Sequence, residues 1–94
     1  MTYKLIFQPS AKKEWDKLDG TVRRQLGNKL KERLEQPRVP ASALHGLPDC
    51  YKIKLRALGY RLVYQVKDEV VTVLVLAIGR RDSVYVDVQD RLPE

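Results

Sequence analysis

Tyr51-Lys-Ile-Lys-Leu-Arg56, Ala57-Leu-Gly59 and Tyr60-Arg-Leu-Val-Tyr-Gln-Val66 form one continuous stretch, and its reading decides the fold. Tyr51, Ile53 and Leu55 alternate with Lys52, Lys54 and Arg56, the period of two that marks a half-buried strand with one cationic face. Ala57-Leu-Gly59 allows a tight reversal. In the returning strand Leu62, Tyr64 and Val66 alternate with Arg61, Val63 and Gln65, so a β-hairpin is predicted. Lys67-Asp-Glu69 makes the next turn. Val70 to Ile78 is apolar on both faces, which marks a central strand covered on both sides. Gly79 ends it, and Arg80-Arg81-Asp82 begins a polar tail whose remainder, Ser83 to Glu94, shows only marginal helical promise.

Upstream of the hairpin, Tyr3-Lys-Leu-Ile-Phe-Gln8 is rich in aromatic and branched residues and reads as a first strand. Pro9-Ser10 ends it and can cap a helix from Ala11 to about Leu18. Asp19-Gly-Thr21 breaks the chain and starts a second helix, in which Val22, Leu26, Leu30 and Leu34 line one face. Its other faces carry Arg23, Arg24, Lys29, Lys31, Glu32 and Arg33, and Pro37 stops it. Arg38 to Asp49, with Pro40, Gly46 and Pro48, is a loop. The order β-α-α-β-β-β predicts an α+β fold: a two-helix hairpin packed on one face of a small, mainly antiparallel sheet. The other face is expected to be only partly covered and free to carry the cations of the second strand. No repeat, low-complexity tract or linker divides residues 1–94, so a single domain is expected.

Composition narrows the function classes. The formal net charge of +6 favours a polyanionic or acidic partner, while many small basic domains bind no nucleic acid. A single cysteine, Cys50, excludes an intrachain disulfide framework, and Met1-Thr-Tyr-Lys-Leu-Ile-Phe7 reads as a strand rather than a secretory segment. A reducing cytoplasm is the expected location. No apolar run approaches the roughly 20 residues of a membrane span, so no membrane association is expected.

Lys52 and Lys54 project from one face of their strand, and Arg61 emerges on the same side if the apolar residues of both strands face the helices. Arg81 can arrive from the end of the central strand. Such a cluster can be a solvated, solubilising face or a seat for an anion such as phosphate. The sole histidine, His45, excludes a two-histidine acid–base pair. Asp49, Asp68, Glu69 and Asp82 are scattered in turns without the spacing of a metal site, so neither metal nor cofactor is expected. Crowded lysines offer another chemistry. Neighbouring cations disfavour the protonated form, so one lysine can act as acid or base while arginines stabilise a pentacovalent phosphate. RNA suits this scheme because it carries its own nucleophile, the 2′-OH. Tyr85 can stack on a base or share in proton transfer, or it can simply anchor the tail. Trp15, Cys50, Tyr51, Tyr60 and Tyr64 are read as structural.

Three stretches, Leu44-His-Gly-Leu-Pro-Asp-Cys-Tyr-Lys-Ile-Lys-Leu-Arg56, Gly59-Tyr-Arg-Leu-Val-Tyr-Gln-Val66 and Ile78-Gly-Arg-Arg81, closely resemble the RelE toxins of bacterial toxin–antitoxin modules. The likeness extends to Lys13-Glu-Trp-Asp-Lys-Leu18, Val22-Arg23 and Leu34-Glu-Gln-Pro-Arg38. The resemblance implies a RelE-like domain that enters the ribosomal A site and cuts mRNA there by metal-free attack of the 2′-OH. It implies that Lys52, Lys54, Arg61, Arg81 and Tyr85 are catalytic: Lys54 helps protonate the leaving group, Arg61 stabilises the transition state, and Tyr85 stacks on the substrate base. His45, at a position where the family carries an arginine, is expected to bind substrate together with Arg56 and Arg80. A cognate antitoxin is the implied hetero-oligomeric partner, with operator DNA reached only through it. Two other readings accompany the resemblance: a ParE-like relative that poisons DNA gyrase, and a non-catalytic ribosome- or RNA-binding module.

Overall fold

The computed structural model describes residues 2–80 and 83–92. Its elements follow the order β1 (Lys4–Phe7), α1 (Pro9–Asp16), α2 (Gly20–Glu35), β2 (Cys50–Leu55), β3 (Tyr60–Lys67), β4 (Thr72–Arg80) and α3 (Val84–Arg91). The four strands make one sheet in the order β1-β4-β3-β2. The β2–β3 and β3–β4 pairings are antiparallel, and β1 runs parallel to β4. The α+β class, the hairpin and the central position of the apolar strand are therefore as the sequence predicts.

Helix starts are set by side-chain caps that satisfy free backbone N–H groups. The carboxylate of Asp19 accepts from the Thr21 N–H at 2.9 Å and opens α2. At α1 the cap is Gln8, whose Oε1 accepts from the N–H groups of Ser10 and Ala11, with Pro9 in the first turn. The helix thus begins two residues earlier than expected, because a glutamine side chain does the work assigned to Pro9-Ser10. Both helices cover one face of the sheet. Ala11, Val22, Leu26 and Leu30 pack there against Tyr51, Ile53, Leu55, Leu62, Tyr64, Val66, Val73, Val75 and Ile78.

The tail departs from the expectation of a polar segment with only marginal helical promise. It forms α3, which lies on the opposite face with Val84 and Val88 fully buried against Cys50, Val63, Leu76 and Ala77. Local propensity is weak over these eight residues, so burial of one apolar edge supplies the helix's stability. The sheet is consequently covered by helices on both faces, and the second face is less open than the sequence suggested.

A β-bulge in β4 governs what each face carries. Pairing jumps from Val63 opposite Ala77 to Tyr64 opposite Val75, leaving Leu76 as an extra residue. Leu76 and Ala77 both point toward α3, so the alternation changes phase and Gly79 shares a face with α3 while Arg80 does not. Here β4 has already run past the end of β1, and its outer edge needs other partners. Glu14 of α1 accepts from the Ile78 N–H at 3.1 Å, and Arg91 of α3 donates to the Leu76 carbonyl at 2.8 Å. Arg91 also pairs with Glu14 at 2.8 and 3.2 Å, clamping the two helices together across the end of the sheet. With side chains only 17% and 26% exposed, this pair is screened far less than a surface one.

Replacing Arg91 with alanine leaves Glu14 and the Leu76 carbonyl short of a partner, and stability should fall by about 1–3 kcal/mol. Urea unfolding of the two proteins measures this; an unchanged midpoint would show that α3 is held by its valines alone.

Candidate active site

The β2–β3 register places Lys54 directly opposite Arg61, and Lys52 opposite Val63. All three long cationic side chains leave the sheet on the α3 side, because Ile53, Leu55 and Leu62 occupy the other face. Arg61 in turn neighbours Gly79 on β4, where no side chain competes for the space. Tyr85, in the first turn of α3, brings its hydroxyl to Arg61 and accepts from Nη1 at 3.1 Å. The tyrosine is half-buried against the core under α3, so its ring anchors the helix and its hydroxyl meets the cations. The anchoring role considered for Tyr85 is the one its packing fills.

The electrostatics follow from this geometry. The charge of Lys52 is the largest influence lowering the pKa of Lys54 below the usual lysine range; desolvation, Arg61 and Arg56 add to it. None of Lys52, Lys54, Arg56 or Arg61 forms an ion pair with a carboxylate among the described residues. The acidic groups nearest in sequence are occupied elsewhere. Arg38 takes Asp49 at 3.0 Å and Asp68 at 2.7 Å, and Tyr3 donates a further hydrogen bond to Asp68. No three His, Cys, Asp or Glu residues converge to hold a metal among the described residues.

The remaining expected site residues are distributed unevenly. Arg56 stays with the cluster: it lines a cavity of about 370 Å³ with Lys54, Gly59, Tyr60 and Arg61. Arg80 does not. The bulge turns it to the α1–α2 side of the sheet, where its guanidinium stacks 4.5 Å above the Tyr60 ring and donates to the Leu58 carbonyl. His45 is exposed on the loop before β2, outside the cavities beside Lys52 and Lys54. Arg81 lies outside the described residues.

Two residues the sequence reading left as surface charge join the neighbourhood. Lys29 and Arg33, one turn apart on α2, line a cavity of about 270 Å³ with Ser42, Lys52, Lys54 and Arg56. The available signal was their spacing, which sets two like charges on one helix face next to the apolar stripe. Arg33 is partly structural, donating to the Lys52 carbonyl, the Tyr64 hydroxyl and Ser42.

The proteins similar to this chain are toxins of bacterial toxin–antitoxin systems. Residues 5–85 match the family model described as the ParE toxin of type II toxin–antitoxin systems. The chain is 55% identical to the mRNA interferase toxin RelE of Escherichia coli K12, covering 98% of this chain and 99% of that protein, and equally similar to the mRNA interferase RelE of Shigella flexneri. The fold superposes on an arginine-substituted E. coli RelE in the free state with a TM-score of 0.92 at 54% identity, covering 99% and 100% of the two chains. Against the RelE toxin–antitoxin complex RelBE of E. coli the TM-score is 0.83 at 59% identity, covering 85% and 98%. A sheet carrying Lys52, Lys54 and Arg61 on one face, matched over nearly its whole length to RelE proteins, places this chain in the RelE/ParE family of type II toxins.

Proposed function

We propose that this chain is an mRNA interferase, a toxin that cuts mRNA held in the ribosomal A site and so stops translation. The observation that carries the reading is the pairing of Lys54 with Arg61 across the hairpin, with Lys52 beside them and the Tyr85 hydroxyl bonded to Arg61. Relatives 55% identical over nearly the whole chain bear the name mRNA interferase, which supports the same reading.

The chemistry follows from the groups present. The 2′-OH of the substrate attacks the adjacent phosphorus, and the bond to the 5′-oxygen of the next nucleotide breaks. As the pentacovalent phosphate forms, negative charge grows on its oxygens, and Arg61 meets that charge with a fixed guanidinium. Lys54 donates a proton to the departing 5′-oxygen; its lowered pKa makes it a stronger acid than an isolated lysine. Lys52 keeps that pKa low and adds positive charge beside the phosphate. The proton released by the 2′-OH passes to solvent water, directly or through the Tyr85 hydroxyl, whose ring can also stack on a base; Arg81 adds a second guanidinium. Arg56 holds the flanking strand, and His45 contacts it from the preceding loop.

A ribosome-held substrate fits an open row of cations better than a free strand does. The ribosome fixes the codon and contributes the positioning that this small site lacks. The partners are then the ribosome with its mRNA, in the cytoplasm, and a RelB-like antitoxin, through which alone operator DNA is reached. The solved RelBE complex of the E. coli relative supports the antitoxin partnership.

Programmed ribosomes carrying a defined A-site codon should show a cut within that codon, while the same mRNA without ribosomes stays largely intact. Gyrase inhibition with uncut mRNA would sink the interferase reading in favour of the ParE-like one. Lys54→Ala should lower the maximal cleavage rate by about 10²-fold or more with little change in ribosome affinity; a matching loss of affinity would reduce Lys54 to a phosphate contact. In the free protein, NMR titration of the Lys54 side chain should give a pKa below the usual lysine value that rises in Lys52→Gln. No movement on that substitution would contradict the proposed origin of the shift.

A further inference from the structure

Lys29 and Arg33 have no part in the chemistry above, yet the cavity they line between α2 and the outer edge of β2 is one-sided in charge. Lys29, Arg33, Lys52, Lys54 and Arg56 surround about 270 Å³ with Ser42 beside them, and no carboxylate lines it. Arg33 is half-buried, and neither it nor Lys29 forms an ion pair with a carboxylate among the described residues. Lys29 and Arg33 lie one turn apart on a helix face, a like-charge spacing that weakens a helix unless something neutralises it. Lys29 is also exposed and makes no contribution to the core, so packing does not account for its placement.

The groove is continuous with the candidate active site. Lys54 and Arg56 line both this cavity and the one shared with Arg61. A strand whose reacting phosphate sits between Lys54 and Arg61 therefore has a cationic path past Arg56 toward α2. We propose that the α2–β2 groove is a second phosphate subsite, in which Lys29 and Arg33 hold a backbone phosphate of the RNA flanking the scissile bond. The proposal rests on the interferase reading for its substrate and deepens it, since it assigns the path of the strand. Ser42 and the guanidinium donors of Arg33 not used by Lys52, Tyr64 and Ser42 supply hydrogen bonds, and Lys29 acts as the point charge. A phosphate contact of this kind fixes register without reading sequence.

Lys29 is the residue to change, because Arg33 also supports Tyr64 and the β2 edge. The control is Lys31→Gln, which removes the same formal charge from the far side of α2, beside Leu5, Phe7 and Trp15. The probe is a short single-stranded RNA with 2′-O-methyl groups, which the free protein can bind but not cut. Lys29→Gln should weaken binding roughly fivefold and flatten the dependence of log affinity on log salt by about 0.7, the share of one neutralised phosphate on a single strand. Lys31→Gln should change neither by more than a small factor. On programmed ribosomes, Lys29→Gln should raise the half-saturating toxin concentration more than it lowers the maximal rate. Equal losses for the two substitutions, or no measurable binding of the oligonucleotide by wild type, would overturn the subsite. Wild type that binds through Lys29 but leaves ribosome-held mRNA uncut would instead overturn the interferase reading and leave the groove standing.

Discussion

Lys54 and Arg61 face each other across a pair of strands, and the rest of the molecule is organised by the need to keep two like charges in that position. Opposed like charges on neighbouring strands destabilise a sheet by up to about 1 kcal/mol. The other face of the same strands supplies the opposing term. Ile53, Leu55 and Leu62 are essentially buried beneath α1 and α2, each worth about 1.5–3 kcal/mol on removal from water. Burial therefore wins by a wide margin and dictates the register. A slip of one residue would exchange the two faces, exposing the apolar set and burying the cations. The cations are held together by what lies behind them.

That balance was legible in the sequence, since both halves of it are written in the alternation from Tyr51 to Val66. The β4 bulge was not. Val70 to Ile78 is apolar throughout, so nothing in its pattern reports that Leu76 and Ala77 share a face. Three outcomes depend on that unreadable step. Gly79 rather than Arg80 neighbours Arg61, Arg80 is turned onto Tyr60, and a cleft opens at the edge of β4 for Glu14 and Arg91. The tail was misjudged for a related reason. Val84 and Val88 make too short a stripe to specify a helix alone, and they become one only against the surface formed by Leu76, Ala77 and Val63. Tyr85 stood out in the tail, and the resemblance to RelE toxins assigned it a catalytic role, whereas its reach to Arg61 comes from α3.

The same devices connect the fold to its proposed chemistry. The clamp between Glu14 and Arg91 ties α3 to α1, and α3 carries the tyrosine that touches Arg61. Acidic groups that would neutralise the cations are drawn off to structural tasks: Glu14 at the bulge, Asp49 and Asp68 around Arg38. What remains on the α3 side of the hairpin is positive charge without a carboxylate partner among the described residues, placed where an RNA phosphate can provide one. The fold is devoted to holding a few cations in fixed positions, which suits the proposed presentation of the substrate by the ribosome.

The central claim is that this cationic row cleaves RNA through the substrate's own 2′-OH, and the ends of the products report it directly. Mass spectrometry of fragments cut on programmed ribosomes should find a 2′,3′-cyclic phosphate, or the 3′-phosphate formed by its opening, on the upstream piece and a 5′-hydroxyl on the downstream piece. A 5′-phosphate on the downstream piece would mean that an external water attacks the phosphorus, and would contradict the account.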